Sequence, residues 1–196
     1  MGPDELRRAF TRSSGASSDY DLNPGVILPP DRVLRPAAVL IAVQPSPNGA
    51  QVILTKRSSR LKHHPGQIAF PGGKLDKGDA SLTAAALREA QEEIGLPLSA
   101  VEVLGSLPVH ETVTNYTVTP ILGHVRDSFE VRPETGEVEE VFTVPLSFLL
   151  DLSNFRIEQR QWRGTMRGYY VVPYGPYYIW GATARMLRGL AERLVP

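Results

Sequence analysis

Cysteine is absent from all 196 residues, which excludes a disulfide framework, a thiol nucleophile and a zinc–thiolate site. No apolar run approaches membrane-spanning length, and the first residues lack the apolar centre of a secretion signal. The 21 basic and 21 acidic residues balance to a net charge of zero without a basic arm, so neither DNA nor RNA is expected as the main partner. These absences favour a cytoplasmic protein that acts on a small molecule and contacts no membrane.

A glutamate cluster is the most informative feature that the sequence does contain. Glu89, Glu92 and Glu93 are spaced three and four residues apart, so on an α-helix they project from one face. Like charges at that spacing destabilise an isolated helix by about 0.2–0.5 kcal/mol per pair. Because Mg²⁺ and Mn²⁺ prefer carboxylate oxygens, a divalent ion would neutralise the cluster. The pattern therefore predicts a Mg²⁺ or Mn²⁺ site.

The segment before this helix contains paired glycines. A short apolar run at 67–69 is typical of a strand, and the glycines that follow it allow a ligand to approach the main chain closely. Asp79 and Ser81 are both suitable N-caps, and residues 80–94 strongly favour a helix that ends at Gly95. The order of strand, glycine loop and helix would bring loop carbonyls and helix carboxylates around one ion.

The stretch from Gly73 to Leu96 resembles the signature of the Nudix hydrolases, which cleave nucleoside diphosphates linked to another group. The matching residues are Gly73, Arg88, Glu89, Ala90, Glu92, Glu93, Gly95 and Leu96. Two departures stand out. Asp79 replaces the first glutamate of the signature, and eight residues (80–87) separate it from Arg88 instead of seven.

Those departures, together with upstream segments, resemble one subgroup, the coenzyme A pyrophosphatases. Residues 54–58 and 66–73 are similar to its accessory motif, and residues 139–146 and 179–184 are similar to further subgroup segments. Lys62 stands where the motif prefers arginine, which keeps the charge but loses the planar group that grips phosphate in two places. The similarity extends from about residue 37 to the C-terminal helix.

The resemblance implies roles for particular residues. It adds the Gly72 carbonyl to Glu89, Glu92 and Glu93 as a metal ligand, and Glu140, in an expected strand, is the candidate distal ligand. Arg88 lies four residues before Glu92 and is expected to orient its carboxylate. Glu89 is the candidate general base, which completes a catalytic set with Arg88, Glu92 and Glu93.

Substrate binding is expected near the glycine segment. Cations at the end of a strand can meet phosphates, and Lys62, His63 and His64 are candidates for the 3′-phosphate of coenzyme A. Five tyrosines in the C-terminal third are candidates for stacking on adenine, although packing in the sheet or at an interface is the commoner role of such residues. The expected substrate-binding residues are Lys56, Arg57, Lys62, Gly66, Gln67 and Phe70.

Alternating strand and helix patterns predict an α/β fold, and the resemblance specifies a Nudix α/β/α sandwich around a mixed β-sheet. Residues 1–34 are expected to form an N-terminal helix and loop extension packed on a Nudix hydrolase domain at 35–196. Within these, the patterns predict the following: strands at 37–43, 51–55, 101–107, 116–125 and 138–144, a hairpin of 155–162 and 168–172 with its tip at 163–166, and helices at 3–11, 80–94 and 180–194.

The sequence thus predicts a metal-dependent pyrophosphatase that splits coenzyme A or its derivatives into 3′,5′-ADP and 4′-phosphopantetheine or acyl-phosphopantetheine. Three alternatives stay open: hydrolysis of ADP-ribose, dinucleotides or damaged nucleotides, nucleotide sensing without cleavage, and an acidic helix that binds a protein partner. Whether the aromatic C-terminal third forms a homodimer contact also stays open.

Overall fold

A computed structural model describes residues 1–12, 15–162 and 164–195 of the protein. Its helices are α1 (Pro3–Arg7), α2 (Leu82–Ile94), α3 (Leu146–Leu150) and α4 (Gly181–Leu194). Its strands are β1 (Ser17–Ser18), β2 (Arg35–Gln44), β3 (Gln51–Arg57), β4 (Ile68–Ala69), β5 (Gly72–Lys74), β6 (Val101–Ser106), β7 (His110–Glu111), β8 (Tyr116–Val125), β9 (Val138–Pro145), β10 (Arg156–Trp162) and β11 (Thr165–Val171). No helix within these ranges is both long and apolar enough to cross a bilayer.

The described strands β1–β9 form one mixed sheet, and β10 and β11 form a separate antiparallel hairpin. At the centre, β2 pairs with β8 in parallel, and β8 also pairs with β6 and β7 in antiparallel. On the other side, β3 pairs with β9, also antiparallel. The mixed sheet agrees with the expected architecture.

The site region is created where β2 and β3 separate. These strands pair only near the turn that joins them, and beyond it β4 pairs with β3 while β5 pairs with β2. The chain from Ile68 to Lys74 therefore fills the gap between two diverging strands. A Cβ on Gly72 would lie 2.5 Å from the Ala38 carbonyl oxygen, so only glycine permits this close approach.

Two apolar layers cover the sheet, because successive side chains of a strand point to opposite faces. On β2, Ala38, Leu40 and Ala42 pack with the buried face of α2. The intervening residues Ala37 and Ile41 pack in the second cluster, which includes the buried face of α4. The expected α/β/α sandwich is therefore confirmed.

Helix α2 begins and ends at chemically suitable residues. The Ser81 hydroxyl accepts a hydrogen bond from the Ala84 amide at 3.1 Å, and Gly95 ends the helix with φ of 73°. Of the two expected caps, Ser81 is the one used, and the helix starts at Leu82 rather than at residue 80. Asp79 faces Arg88 instead.

Several element boundaries differ from the sequence-based expectation. The N-terminal helix changes to a tight 3₁₀ turn at Arg8–Phe10, β3 continues to Arg57, and the pairing of β10 with β11 includes Thr165 rather than leaving it at the tip. The expectation for Arg163 in that tip, and for Ser13 and Ser14 in the N-terminal loop, lies outside the described residues. Strands β1 and β7 were not expected from the sequence.

Candidate active site

Glu93 is a buried carboxylate under the glycine segment. It is only 5% exposed, and the Gly72 amide donates a hydrogen bond to its Oε2 at 3.2 Å. Burial raises the pKa of Glu93 to about 8, with a smaller increase from the neighbouring Glu89. A carboxylate in such surroundings attracts a cation or a proton, as a metal ligand must.

Glu89 lies directly over Gly73. A Cβ on that glycine would be 2.3 Å from the Glu89 Oε1, so the absence of a side chain creates the space for the carboxylate. Burial raises the pKa of Glu89, while the Arg88 charge opposes the increase. Two adjacent glycines thus serve two different carboxylates, since Gly72 binds Glu93 and Gly73 accommodates Glu89.

Arg88 links the start of the helix to its acidic face. Its guanidinium binds Asp79 through two hydrogen bonds of 2.9 and 3.0 Å, and its Nη1 binds Glu92 at 2.9 Å. Asp79 has a side chain only 5% exposed, and the hydrogen bond from Arg88 lowers its pKa. The same contact raises the pKa of Arg88. Asp79 is therefore long enough to position Arg88 despite replacing a glutamate.

The fold separates Glu140 from the glutamate helix. Glu140 follows the side of β9 that bears Phe142, which packs in the α4 layer, and its Oε1 accepts a 2.6 Å hydrogen bond from the Tyr177 hydroxyl. The charge of Glu137, by contrast, raises the pKa of both Glu89 and Glu93. Strand alternation thus places Glu140 on the α4 side of the sheet, whereas the charge of Glu137 acts on the cluster. The expectation that Glu140 is the distal metal ligand stays a prediction.

The donor set fits a hard divalent ion in its chemistry. Glu89 and Glu93 are two covered carboxylates, and among the described residues no cationic side chain is within hydrogen-bond distance of Glu93, whereas Arg88 lies 3.1 Å from Glu89. The glycine segment brings main-chain atoms beside both carboxylates. However, in the part of the chain that is described, no three His, Cys, Asp or Glu side chains converge closely enough to hold one ion. Glu92 accounts for this, because its carboxylate is turned towards Arg88 and is 58% exposed.

A cavity of about 950 Å³ lies on the α4 side of the sheet. Five residues expected at the site line it, namely Lys56, Gly66, Gln67, Phe70 and Glu140. The lining does not include Gly72, Arg57, Lys62, Arg88 or the three helix glutamates. The cavity and the glutamate cluster therefore lie on opposite sides of the chain from Ile68 to Gly72, which separates them by one strand.

The expected phosphate-binding residues occupy different positions. Lys56 lines the cavity and forms an ion pair with Glu139 at 2.6 Å, whereas the charge of the next residue, Arg57, acts on Glu93. Lys62 is exposed and lies outside the cavity lining. His64 lines the cavity, and burial, followed by the Arg57 charge, lowers its pKa.

The tyrosines divide into two groups. Tyr169, Tyr177 and Tyr178 line the cavity, whereas Tyr170 and Tyr174 pack against the apolar core. The Tyr177 ring is stacked on Phe142 with 3.5 Å between ring centroids, and the Tyr178 hydroxyl donates to Glu158. The first group presents aromatic surface to the cavity, whereas the second group has the packing role that was the alternative to stacking on adenine.

Sequence reasoning missed part of the cavity wall. The unexpected residues that line it include Asp19, Asn23, Thr112, Arg160, Arg167 and Trp180. They come from the N-terminal loop, the β7–β8 connection, the hairpin and the start of α4, which are distant in sequence and carry no local motif. Recognition that β1 pairs with β7 would have placed the N-terminal loop at the cavity, but strands of two residues are too short to show a hydrophobic periodicity in the sequence.

Comparison with known proteins gives evidence on the family of this chain that does not depend on the geometry of the site. The family model described as "NUDIX domain" matches residues 34–163. A relative from Salmonella paratyphi B, described as an uncharacterized Nudix hydrolase, NudL, is 45% identical over 160 residues, covering 82% of this chain and 83% of the relative.

Solved structures agree on the fold. A Nudix hydrolase from M. smegmatis, RenU, is 26% identical with a TM-score of 0.50, covering 61% of this chain and 74% of its own. The Nudix domain of Shewanella oneidensis NrtR, crystallised with ADP ribose, is 16% identical with a TM-score of 0.53, covering 90% and 97%. At that identity, the second likeness concerns the fold alone.

Proposed function

This chain belongs to the Nudix hydrolase family, whose members act on pyrophosphate bonds, and within that family we propose that it hydrolyses coenzyme A or its derivatives. The products would be 3′,5′-ADP and 4′-phosphopantetheine, or acyl-phosphopantetheine from a thioester. The substrate class is a small molecule that contains a diphosphate.

One observation carries the choice of coenzyme A. The segment that resembles the accessory motif of the coenzyme A pyrophosphatases, at 66–73, contributes Gly66, Gln67 and Phe70 to the cavity wall and Gly72 to the contact with Glu93. A single stretch of chain thus touches both the space for an organic ligand and the carboxylate cluster. The cavity volume of about 950 Å³ is near the upper end of the roughly 300–1,000 Å³ usual for ligand sites, which suits a large substrate.

Glu89, Glu92 and Glu93, with the Gly72 carbonyl, are proposed to hold Mg²⁺ or Mn²⁺. Such an ion, when bound, lowers the pKa of water and offsets charge on phosphate oxygens. Arg88, fixed by Asp79, pairs with the Glu92 carboxylate, so Glu92 would exchange this contact for the ion when the ion binds. Glu89 is the proposed general base, since its carboxylate lies against Gly73 with its side chain 16% exposed, whereas Glu93 is covered beneath the glycine segment.

The remaining residues are proposed to bind substrate. Lys56 and Arg57 are consecutive residues of β3 and face opposite sides of it, Lys56 at the cavity wall and Arg57 beside Glu93. Their charges therefore flank the strand that separates the cavity from the glutamate cluster. A diphosphate that lies at this boundary would meet a cation on either side. The cavity-facing tyrosines supply flat surfaces for adenine.

The test is turnover of coenzyme A with Mg²⁺ or Mn²⁺, measured beside ADP-ribose and NADH, for the wild type and Glu93→Gln. Release of 3′,5′-ADP from coenzyme A is expected, with loss of at least about a hundredfold in kcat for the variant, because a metal ligand is removed. Faster cleavage of ADP-ribose or NADH would contradict the proposed substrate while leaving the family chemistry intact. Binding of nucleotide without cleavage of any substrate would indicate a sensor instead.

A further inference from the structure

Asp19 is a carboxylate that the fold holds rigidly at the cavity wall. Its Oδ1 is 3.0 Å from His110 Nε2, and its Oδ2 accepts a hydrogen bond from the Val113 amide at 2.9 Å. The side chain is 17% exposed and lines the cavity. Both carboxylate oxygens are therefore anchored, yet each has lone pairs left to accept a further hydrogen bond.

His110 fixes this arrangement from behind. Its side chain is fully buried, and its second ring nitrogen, Nδ1, lies 2.9 Å from the Ser17 hydroxyl. Because an ionised carboxylate only accepts hydrogen bonds, the N–H at His110 Nε2 donates the hydrogen bond that Asp19 accepts. Ser17, His110 and Asp19 thus resemble a nucleophilic triad in composition, but Ser17 does not line the cavity, so the constellation orients Asp19 rather than activating a serine.

The sign of the charge decides which part of a substrate meets Asp19. Lys56, Arg160 and Arg167 line the same cavity and suit phosphates, whereas a fixed carboxylate repels them. An uncharged group that carries N–H or O–H donors is favoured beside Asp19. Asp19 therefore suits a part of the ligand that carries hydrogen-bond donors and no negative charge.

Aromatic side chains lie near Asp19. Asp19, Gly168, Tyr169 and Gly181 also line a small adjoining cleft, so they are close together in space. Tyr169 packs edge-on against Trp180 at 5.3 Å between ring centroids, and Trp180 lines the main cavity as well. A flat heterocycle that carries an amino group matches both features, since rings contact its face and the carboxylate accepts from its edge.

We propose that Asp19 is a specificity-determining residue whose carboxylate accepts a hydrogen bond from the exocyclic amino group of the adenine base. This inference rests on the proposed function, because it takes the base of a nucleotide diphosphate as the ligand. His110 and Ser17 are positioning residues, which act on the base only through Asp19.

Binding of AMP and IMP distinguishes this role, since the two differ in whether position 6 carries an amino donor or a carbonyl acceptor. The wild type is expected to bind AMP roughly tenfold or more tightly than IMP, because IMP would place an oxygen against the carboxylate. In Asp19→Asn the amide can donate to that oxygen, so the AMP-to-IMP ratio is expected to fall to about one or to reverse. Isothermal titration calorimetry gives both affinities.

Asp21→Asn is the matched control. Asp21 lies on the same segment but is exposed, pairs with Arg185 at 3.0 Å and does not line the main cavity. Its removal is expected to leave the AMP-to-IMP ratio unchanged. Should Asp19→Asn fail to fold, wild-type binding of N6,N6-dimethyl-AMP, which lacks the donors, must be at least roughly tenfold weaker than that of AMP.

Several results would overturn the proposal. Equal binding of AMP and IMP by the wild type, failure of both to bind, or an unchanged ratio in Asp19→Asn would each do so. Weaker binding of pantetheine to Asp19→Asn with an unchanged ratio would assign Asp19 to the pantetheine amides instead. These outcomes are independent of which diphosphate is cleaved, so a failure to hydrolyse coenzyme A with the AMP-to-IMP ratio intact would refute only the proposed function.

Discussion

At the scale of single residues, the site depends on how carboxylates are covered. Glu93 is 5% exposed and Glu92 is 58% exposed in its side chain, although they are adjacent in sequence. The difference follows from the helix, since a turn of 100° between neighbours points one under the glycine segment and the other outward to Arg88. The same residue type therefore acquires two different environments, one covered and one exposed.

The raised pKa of Glu93 predicts a pH-dependent stability in the absence of divalent ions. Between its ordinary pKa of 4.5 and the folded value of about 8, the folded protein holds a proton that the unfolded chain releases. The contribution of Glu93 to the free energy of unfolding should therefore be greatest below pH 4.5 and should fall by up to about 5 kcal/mol as pH rises to about 8.

Denaturant unfolding in EDTA at pH 5 and pH 8 measures this effect as a difference between the wild type and Glu93→Gln. The variant carries no ionisable group at position 93, so its free energy of unfolding, relative to that of the wild type, should increase from pH 5 to pH 8. Glu92→Gln is the control and should show no such gain. An equal difference at both pH values would refute the raised pKa.

Gly73→Ala tests the space over which Glu89 lies. The added methyl group would approach the Glu89 carboxylate, which is the flexible end of a side chain, so we expect folding to tolerate it with a loss below about 1 kcal/mol. The displaced carboxylate should nevertheless lower kcat by about a hundredfold, since misplacement of a catalytic group by about 1 Å has that consequence.

Gly78→Ala is the matched control for this substitution. A Cβ there meets no atom within 4 Å, and the residue lies in the loop that follows β5. Steady-state kinetics and thermal unfolding of both variants separate the two effects. Normal kcat in Gly73→Ala would show that Glu89 does not need its observed position.

At the scale of elements, β8 and the end of α2 could be predicted from the sequence and the glutamate geometry could not. Strand β8, at Tyr116–Val125, matches the expected range because it is long and largely apolar, and Gly95 ends α2 as expected. The position of Glu140 could not be predicted in full, because its partner Tyr177 comes from the segment before α4, which is distant in sequence.

The cap of α2 is a property of the element that the sequence left ambiguous between Asp79 and Ser81. Because Ser81 accepts the hydrogen bond from Ala84, Ser81→Ala should lower the free energy of unfolding by about 1 kcal/mol. Ser99→Ala is a control at an exposed serine that makes no side-chain hydrogen bond within the described residues. Chemical denaturation of both variants measures the difference, and an equal effect of the two would contradict the assignment of the cap.

At the scale of the whole molecule, the N-terminal residues contact two separate parts of the fold, strand β7 and the end of α4. Strand β1 pairs with β7 and carries Asp19 to the cavity, while Leu6 and Ala9 are fully buried. The Arg193 guanidinium, near the end of α4, donates hydrogen bonds to the Ala9 and Arg12 carbonyls. The prediction that residues 1–34 form an extension packed on a domain at 35–196 can therefore be tested by removing part of the extension.

Deletion of residues 1–12 should destabilise the protein without removing any cavity residue. Loss of the buried Leu6 side chain is worth about 1.5–3 kcal/mol, and removal of two carbonyls from the 7% exposed Arg193 adds about 1–3 kcal/mol. Arg193→Met should harm the full chain, since it removes the donor of both hydrogen bonds, and should cost less in the shortened chain, because those two bonds are already absent there. Denaturant unfolding of the four proteins gives the coupling between the segment and the arginine; additive effects would mean that the N-terminal residues stabilise the fold only through their apolar contacts.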